Sequence, residues 1–112
     1  MPTILMVATR KGNLSSFCSG SSVKKRIHAI FSGRVQGVGF RYTAESKALA
    51  LRVCGWVKNT ADGDVELVAE QKEEVLKNFL AQLEKEFMGY IGDRKIQWGS
   101  ATGEFKDFST RF

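Results

Sequence analysis

The dipeptide Asp62-Gly63 lies between two short β-prone runs, VCGWVKN (Val53–Asn59) and a stretch in which Val65, Leu67 and Ala69 alternate with polar or smaller partners. Asp-Gly in that setting is a strong hairpin signal, because its backbone readily takes the positive-φ conformation of a tight turn. What makes this hairpin restrictive is its neighbours. Ahead of it, FRYTAESKALALR contains no Gly or Pro and sets Phe40, Ala44, Ala48 and Leu51 on one helical stripe. Behind it, EEVLKNFLAQLEKEF repeats Leu76, Phe79, Leu80, Leu83 and Phe87 at helical spacing, with Glu and Lys on the other side. The glycines of MGYIGD are expected to end this second helix. Outside the helices, RIHAIFSG alternates Ile27, Ala29 and Phe31, and RKIQWGS (Arg94–Ser100) is a strand candidate around Ile96 and Trp98. The terminal DFSTRF adds a short strand with Phe108, Thr110 and Phe112 on one side.

The order is therefore βαββαβ plus a short C-terminal strand. Two amphipathic helices must bury their stripes against the same sheet, which predicts an α+β, ferredoxin-like sandwich: an antiparallel sheet with both helices on one face. That architecture hosts many activities and does not decide function.

The 112 residues suit one core. The net charge of +5 suggests a polyanion partner until it is located. Residues 1–26 hold five basic residues and no acid, leaving 12 basic and 12 acidic residues in 27–112. The basicity belongs to the tail, so no nucleic-acid partner is expected of the folded part. Residues 1–24 are expected to form a flexible N-terminal extension, with the Ser/Gly-rich NLSSFCSGSS as a linker, and residues 25–112 to form the domain. Within the extension, ILMVA is too short for a signal-peptide core. No apolar run approaches membrane-spanning length. Two cysteines, Cys18 and Cys54, and one histidine, His28, exclude an ordinary zinc or iron–sulfur ligand set drawn from one chain. No cofactor or metal is expected, and the thiols are expected to be free in a cytoplasmic protein. Trp56 and Trp98 read as packing aromatics, and His28, in mid-strand, as structural.

Between the first strand and first helix stands GRVQGVGFR (Gly33–Arg41). A Walker loop starting at Gly33 would need Gly-Lys-Ser/Thr at 38–40, where Val38, Gly39 and Phe40 stand, and GxGxxG fails at Tyr42. An aromatic RNA-binding strand belongs on the third strand, but DVELVAE offers no aromatic to stack a base. What a strand–glycine loop–helix junction can do is gather backbone N–H groups into a concave anion nest at a helix N-terminus. Arg41 would add a fork that matches two phosphoryl oxygens. Unaided, the loop reads equally as a tight turn and Arg41 as a solvated helix residue. Asn59, closing the second strand on the side of Val57 and Gly55, reads first as a turn residue. Spacing alone does not bring it to the loop.

GRVQGVGFR followed one helix later by GWVKNTADGDVE resembles the two signature segments of the acylphosphatase family, over roughly residues 25–112. The resemblance implies hydrolysis of small acyl phosphates to a carboxylate and inorganic phosphate. It implies that Arg41 and the loop amides of Val35, Gln36, Gly37, Val38 and Gly39 bind the phosphate, and that Asn59 positions the attacking water. Inorganic phosphate is then expected as product inhibitor, and the protein as a monomer without a membrane partner. A non-catalytic phosphate- or carbamoyl-phosphate-binding module of the same fold is the alternative, with an RNA-binding domain of ferredoxin-like type behind it. The chain departs from the family in residues 1–24, in GYIGDRK where a proline-containing turn is common, and at Thr110 where an aliphatic residue is usual. These departures are expected to touch the packing of the last strands, with the site confined to the first half of the domain.

Overall fold

The computed structural model describes residues 24–111. Residues 1–23, on which most of the expected extension and Cys18 fall, and Phe112 lie outside the described residues. The elements follow in the order β1 (Lys25–Gly33), α1 (Phe40–Leu51), β2 (Cys54–Asn59), β3 (Val65–Gln71), α2 (Glu73–Glu86), β4 (Ile91–Ser100) and β5 (Phe108–Arg111). They form one five-stranded sheet in the order β4-β1-β3-β2-β5. The expected α+β sandwich is the fold observed.

Each helix forms where its stripe can be buried. On α1 the buried residues are Phe40, Ala44 and Ala48; on α2 they are Leu76, Phe79, Leu80 and Leu83, with Phe87 buried just beyond its end. The small alanines let α1 lie close to the sheet, and the larger side chains of α2 fill the remaining depth. Facing them are Ile27, Ala29 and Phe31 of β1, Val57 of β2, Val65, Leu67 and Ala69 of β3, and Phe108 of β5. Phe40 has ring neighbours on two elements: Phe31 at 5.1 Å and Phe87 at 4.8 Å between centroids. The start of α1 is thereby fixed to β1 and to the end of α2.

Two features differ from the sequence expectation. The sheet is not antiparallel throughout, because β5 runs parallel to β2, with Gly55 opposite Phe108 and Val57 opposite Thr110. A parallel partner is reached through a crossover, here the whole of β3, α2 and β4, so no local turn signals it. In addition, β4 starts at Ile91 rather than Arg94 and pairs with β1 from Ser100 back to Ile91. Its first residues include Gly92 and Asp93, which read as loop, but hydrogen bonding along β1 outweighs their weak strand propensity.

The sheet's other face is mixed, with Ile30, Trp56 and the buried Val68 beside interlocked polar residues. His28 Nε2 lies 2.6 Å from Glu66 Oε2, so this histidine has a structural partner. Neither tryptophan joins the core. Trp56 is half-buried under the Arg111 guanidinium, 4.8 Å from its ring centroid, and Trp98 is 43% exposed on the edge strand. Among the described residues no cysteine is free, so Cys54 is not the free thiol expected.

Glu70 on β3 organises the segment between β4 and β5. Its carboxylate accepts hydrogen bonds from the Thr102 and Gly103 N–H groups (2.9 and 3.0 Å), the Thr102 hydroxyl (2.9 Å) and Arg26 Nη1 (3.0 Å). Burial pushes this carboxyl up, but the two backbone N–H groups, the hydroxyl and the guanidinium together hold it below its ordinary value. A lowered native pKa means that the ionised form stabilises the fold above the unfolded-state pKa, and that this contribution is lost as pH falls through the native one. Glu70→Gln should therefore lower unfolding free energy by about 1–3 kcal/mol at neutral pH. In denaturant titrations at stepped pH, the difference from the parent should shrink as pH falls from 4.5 through the lowered native value.

Candidate active site

The register across three strands places the two sequence signatures at one end of the sheet. Phe31 of β1 pairs with Val65 of β3, which pairs with Asn59 of β2. Two interstrand steps of about 4.8 Å separate the exit of β1 from the end of β2, roughly 10 Å in all. The segment from Arg34 to Gly39 returns over this gap to the start of α1.

The loop's conformation depends on its glycines. Gly37 and Gly39 have φ of 79° and 86°, and a Cβ at either would meet nothing within 4 Å. Glycine is needed there for backbone conformation rather than for space. Gly39 is also the N-cap of α1, where no side chain caps the helix, and no acidic residue lies in its first turn. The first N–H groups of α1 thus meet neither a capping side chain nor a local carboxylate, and the positive end of the helix dipole faces outward. Val35 is buried in the core and Val38 packs partly against it, so two side chains of the loop hold it down. At its start the Arg34 N–H donates to the Tyr90 carbonyl at 2.8 Å.

A cleft of about 330 Å³ opens at this junction. Val35, Gly37 and Gly39 line it from the loop, and Arg41, Tyr42 and Glu45 from α1. Asn59 enters from the end of β2 and Thr110 from β5. Phe40, wedged between Phe31 and Phe87, fixes the helix turn that carries Arg41. Of the residues expected from sequence, Val35, Gly37, Gly39, Arg41 and Asn59 thus come together in one cavity. The Gln36 and Val38 side chains do not line it. Gln36 turns away, and its Nε2 donates to the carbonyls of Thr60 and Asp64, both at 2.8 Å.

The C-terminal strand is the part that sequence reasoning missed. Arg41 Nη1 donates to the Arg111 carbonyl at 3.3 Å, and the Thr110 hydroxyl donates to Glu45 Oε1 at 3.1 Å. The site is therefore not confined to the first half of the domain, because β5, parallel to β2, forms one of its walls. Glu45 stands one helical turn after Arg41, a spacing legible in the sequence, but only the tertiary structure shows that both reach the cleft.

A larger groove of about 400 Å³ between α2 and β4 has a different character. Its arginine, Arg94, is paired with Glu84, and Leu80, Ala81, Ile96 and Trp98 supply much of the remaining wall. It lacks the uncapped helix end and glycine loop that the first cleft combines.

Comparison with known proteins agrees with the geometry. The acylphosphatase family model matches residues 27–110. An acylphosphatase of Methanospirillum hungatei is 44% identical over 72 residues, 64% of this chain and 79% of that protein. The crystal structure of acylphosphatase from Bacillus subtilis superposes with a TM-score of 0.72 at 31% identity, covering 79% of this chain and 99% of that one. A longer protein, HypF of T. kodakarensis, shares the fold over only 12% of its length, with a TM-score of 0.68 at 29% identity and 79% of this chain covered. Across the great majority of its described residues, then, the chain belongs to the acylphosphatase family.

Proposed function

We propose that the cleft between the Arg34–Gly39 loop, α1 and β5 is where this chain carries out its family's reaction, the hydrolysis of small acyl phosphates to a carboxylate and inorganic phosphate. The observation that carries this reading is the convergence of Arg41, the glycine-loop backbone and Asn59 on one cavity.

The chemistry asks little of the protein beyond placement. In an acyl phosphate the leaving group is a carboxylate, so the P–O bond is already activated. The transition state then needs its equatorial oxygens neutralised and its nucleophile held in line. The loop amides and the first N–H groups of α1 supply fixed positive dipoles, and Arg41 supplies a full charge in a planar fork. The Asn59 carboxamide, on the cleft side of β2, holds the water. Its oxygen bonds to phosphorus while the bond from phosphorus to the acyl oxygen breaks. The carboxylate leaves with the electron pair, and the water's proton passes to a phosphoryl oxygen.

Residues 1–24 act as an extension outside this unit. The domain works as a monomer in the cytoplasm on a small-molecule substrate, with no nucleic-acid partner. Among its described residues no helix is long and apolar enough to cross a membrane.

The decisive measurement is hydrolysis of benzoyl phosphate by the parent, Arg41→Ala and Asn59→Ala. Loss of a preorganised donor should lower the rate by about 10²–10³ for each variant. Only Arg41→Ala should also lose most of its inhibition by inorganic phosphate. Phosphate binding without turnover in the parent would instead support a binding module of the same fold.

Glu45 gives a separate prediction, because a carboxylate in the wall of an anion cleft opposes the phosphate it faces. Glu45→Gln keeps an acceptor for the Thr110 hydroxyl but removes the charge. Like charges several ångströms apart near a surface exchange about 1 kcal/mol, so inorganic phosphate should inhibit this variant about fivefold more tightly. Inhibition kinetics with phosphate check this directly.

A further inference from the structure

We infer that Gln36 is a positioning residue for the reaction, acting through its side chain to set the distance between the phosphate loop and Asn59. The inference rests on the functional reading above and adds to it a role outside the cleft.

The loop and Asn59 belong to different elements, and β1 and β2 are not neighbours, because β3 lies between them. No ladder hydrogen bond therefore ties the exit of β1 to the end of β2. Gln36 closes this gap. Both of its described hydrogen bonds run from Nε2, one to the Thr60 carbonyl and one to the Asp64 carbonyl, each 2.8 Å. A primary amide has two N–H donors, and here each has its own acceptor. The acceptors are the two ends of the β2–β3 turn, and Thr60 follows Asn59 directly in the chain. A loop that moved relative to Asn59 would have to break both bonds.

The turn is closed without help from Gln36. Thr60 N–H donates to the Asp64 carbonyl at 2.9 Å, Gly63 N–H to the Thr60 carbonyl at 3.3 Å, and Asp64 N–H to the Thr60 hydroxyl at 3.1 Å. Each carbonyl that Gln36 reaches thus keeps a second donor when Gln36 is replaced, so neither is left unpaired. The loop likewise keeps the buried Val35 and the Arg34–Tyr90 bond. Among the described residues, what Gln36 contributes is a direct side-chain link between two parts that are each already formed.

This division predicts a kinetic signature distinct from that of a scaffold residue. The anion nest lies entirely on the loop and α1, so phosphate affinity survives loss of the link. The water held by Asn59 does not stay in register with phosphorus, so kcat falls. Gln36→Leu removes both donors at similar volume. It should lower kcat for benzoyl phosphate about ten- to a hundredfold, the effect of misplacing a reacting group by about an ångström. KM, phosphate inhibition and the unfolding midpoint should stay within about twofold, or a few degrees, of the parent. Gln36→Glu keeps the length but sets carboxylate oxygens against two carbonyls, and should be slower than the leucine variant. Amide exchange at 37–39 and 60–64 should quicken in Gln36→Leu while the core strands keep their protection, a readout independent of turnover.

A leucine variant with parental kcat overturns the inference, as does a glutamate variant as fast as the parent, since donation would then be irrelevant. Loss of kcat together with phosphate inhibition and a lowered unfolding midpoint also overturns it, assigning Gln36 to the scaffold. A parent that hydrolyses no acyl phosphate overturns the reading of the site itself, a different result from an active parent with an indifferent Gln36.

Discussion

The central strand β3 sets where everything else lies. It pairs with β1 on one side and β2 on the other, and its registers are fixed because a slip of one residue would turn Val65, Leu67 and Ala69 away from both helices. Once those three are held inward, Phe31 and Asn59 come to the same end of the sheet as opposite neighbours of Val65. The glycine loop leaves β1 there and the hairpin turn leaves β2 there. The end of the sheet that carries the cleft thus follows from the hydrophobic demand of one buried strand, whose Val65 pairs directly with Asn59.

From this frame the site is assembled by three kinds of contact of rising specificity. Packing places the start of α1, since Phe40 between Phe31 and Phe87 leaves the preceding Gly39 and following Arg41 little freedom. Backbone conformation comes next: two positive φ angles let the loop turn its N–H groups without side chains in the way. Hydrogen bonds then join parts that packing leaves apart. Gln36 ties loop to hairpin, Arg41 reaches the β5 main chain, and Thr110 holds Glu45. Such polar links stabilise the fold modestly, by about 1 kcal/mol each, but they are directional. They govern distances inside the cleft more than the survival of the fold around it.

How far this was legible in the sequence follows the same ranking. The helices were plain because Leu76, Phe79, Leu80 and Leu83 recur with a period that only one element satisfies, and the hairpin because Asp62-Gly63 is a local signal. The glycine loop and Arg41 were legible as a potential anion site because a strand–loop–helix junction carries its geometry with it. The start of β4 was obscured because an edge strand with little buried surface has little reason to alternate, and Gly92 and Asp93 look like a turn. The parallel placement of β5 and the contacts of Thr110 and Gln36 had no local signature. A hydroxyl on a short strand and a glutamine in a glycine loop resemble many solvated residues until their partners, 65 and 24 positions away, are known.

That asymmetry bears on how a site of this kind can vary. On the proposed reading the phosphoryl oxygens meet backbone amides and one arginine, so their arrangement is set by φ angles and by a helix end rather than by a set of reactive side chains. The polar links around them are single hydrogen bonds between distant segments, and each can change without remaking the core. Thr110 illustrates this: its hydroxyl donates to the Glu45 carboxylate, and both residues line the cleft. If the cleft binds phosphate as proposed, substitutions in the second half of the domain tune its affinity through Glu45 and Arg41, while the strand register that brings Asn59 beside the loop stays fixed by the core.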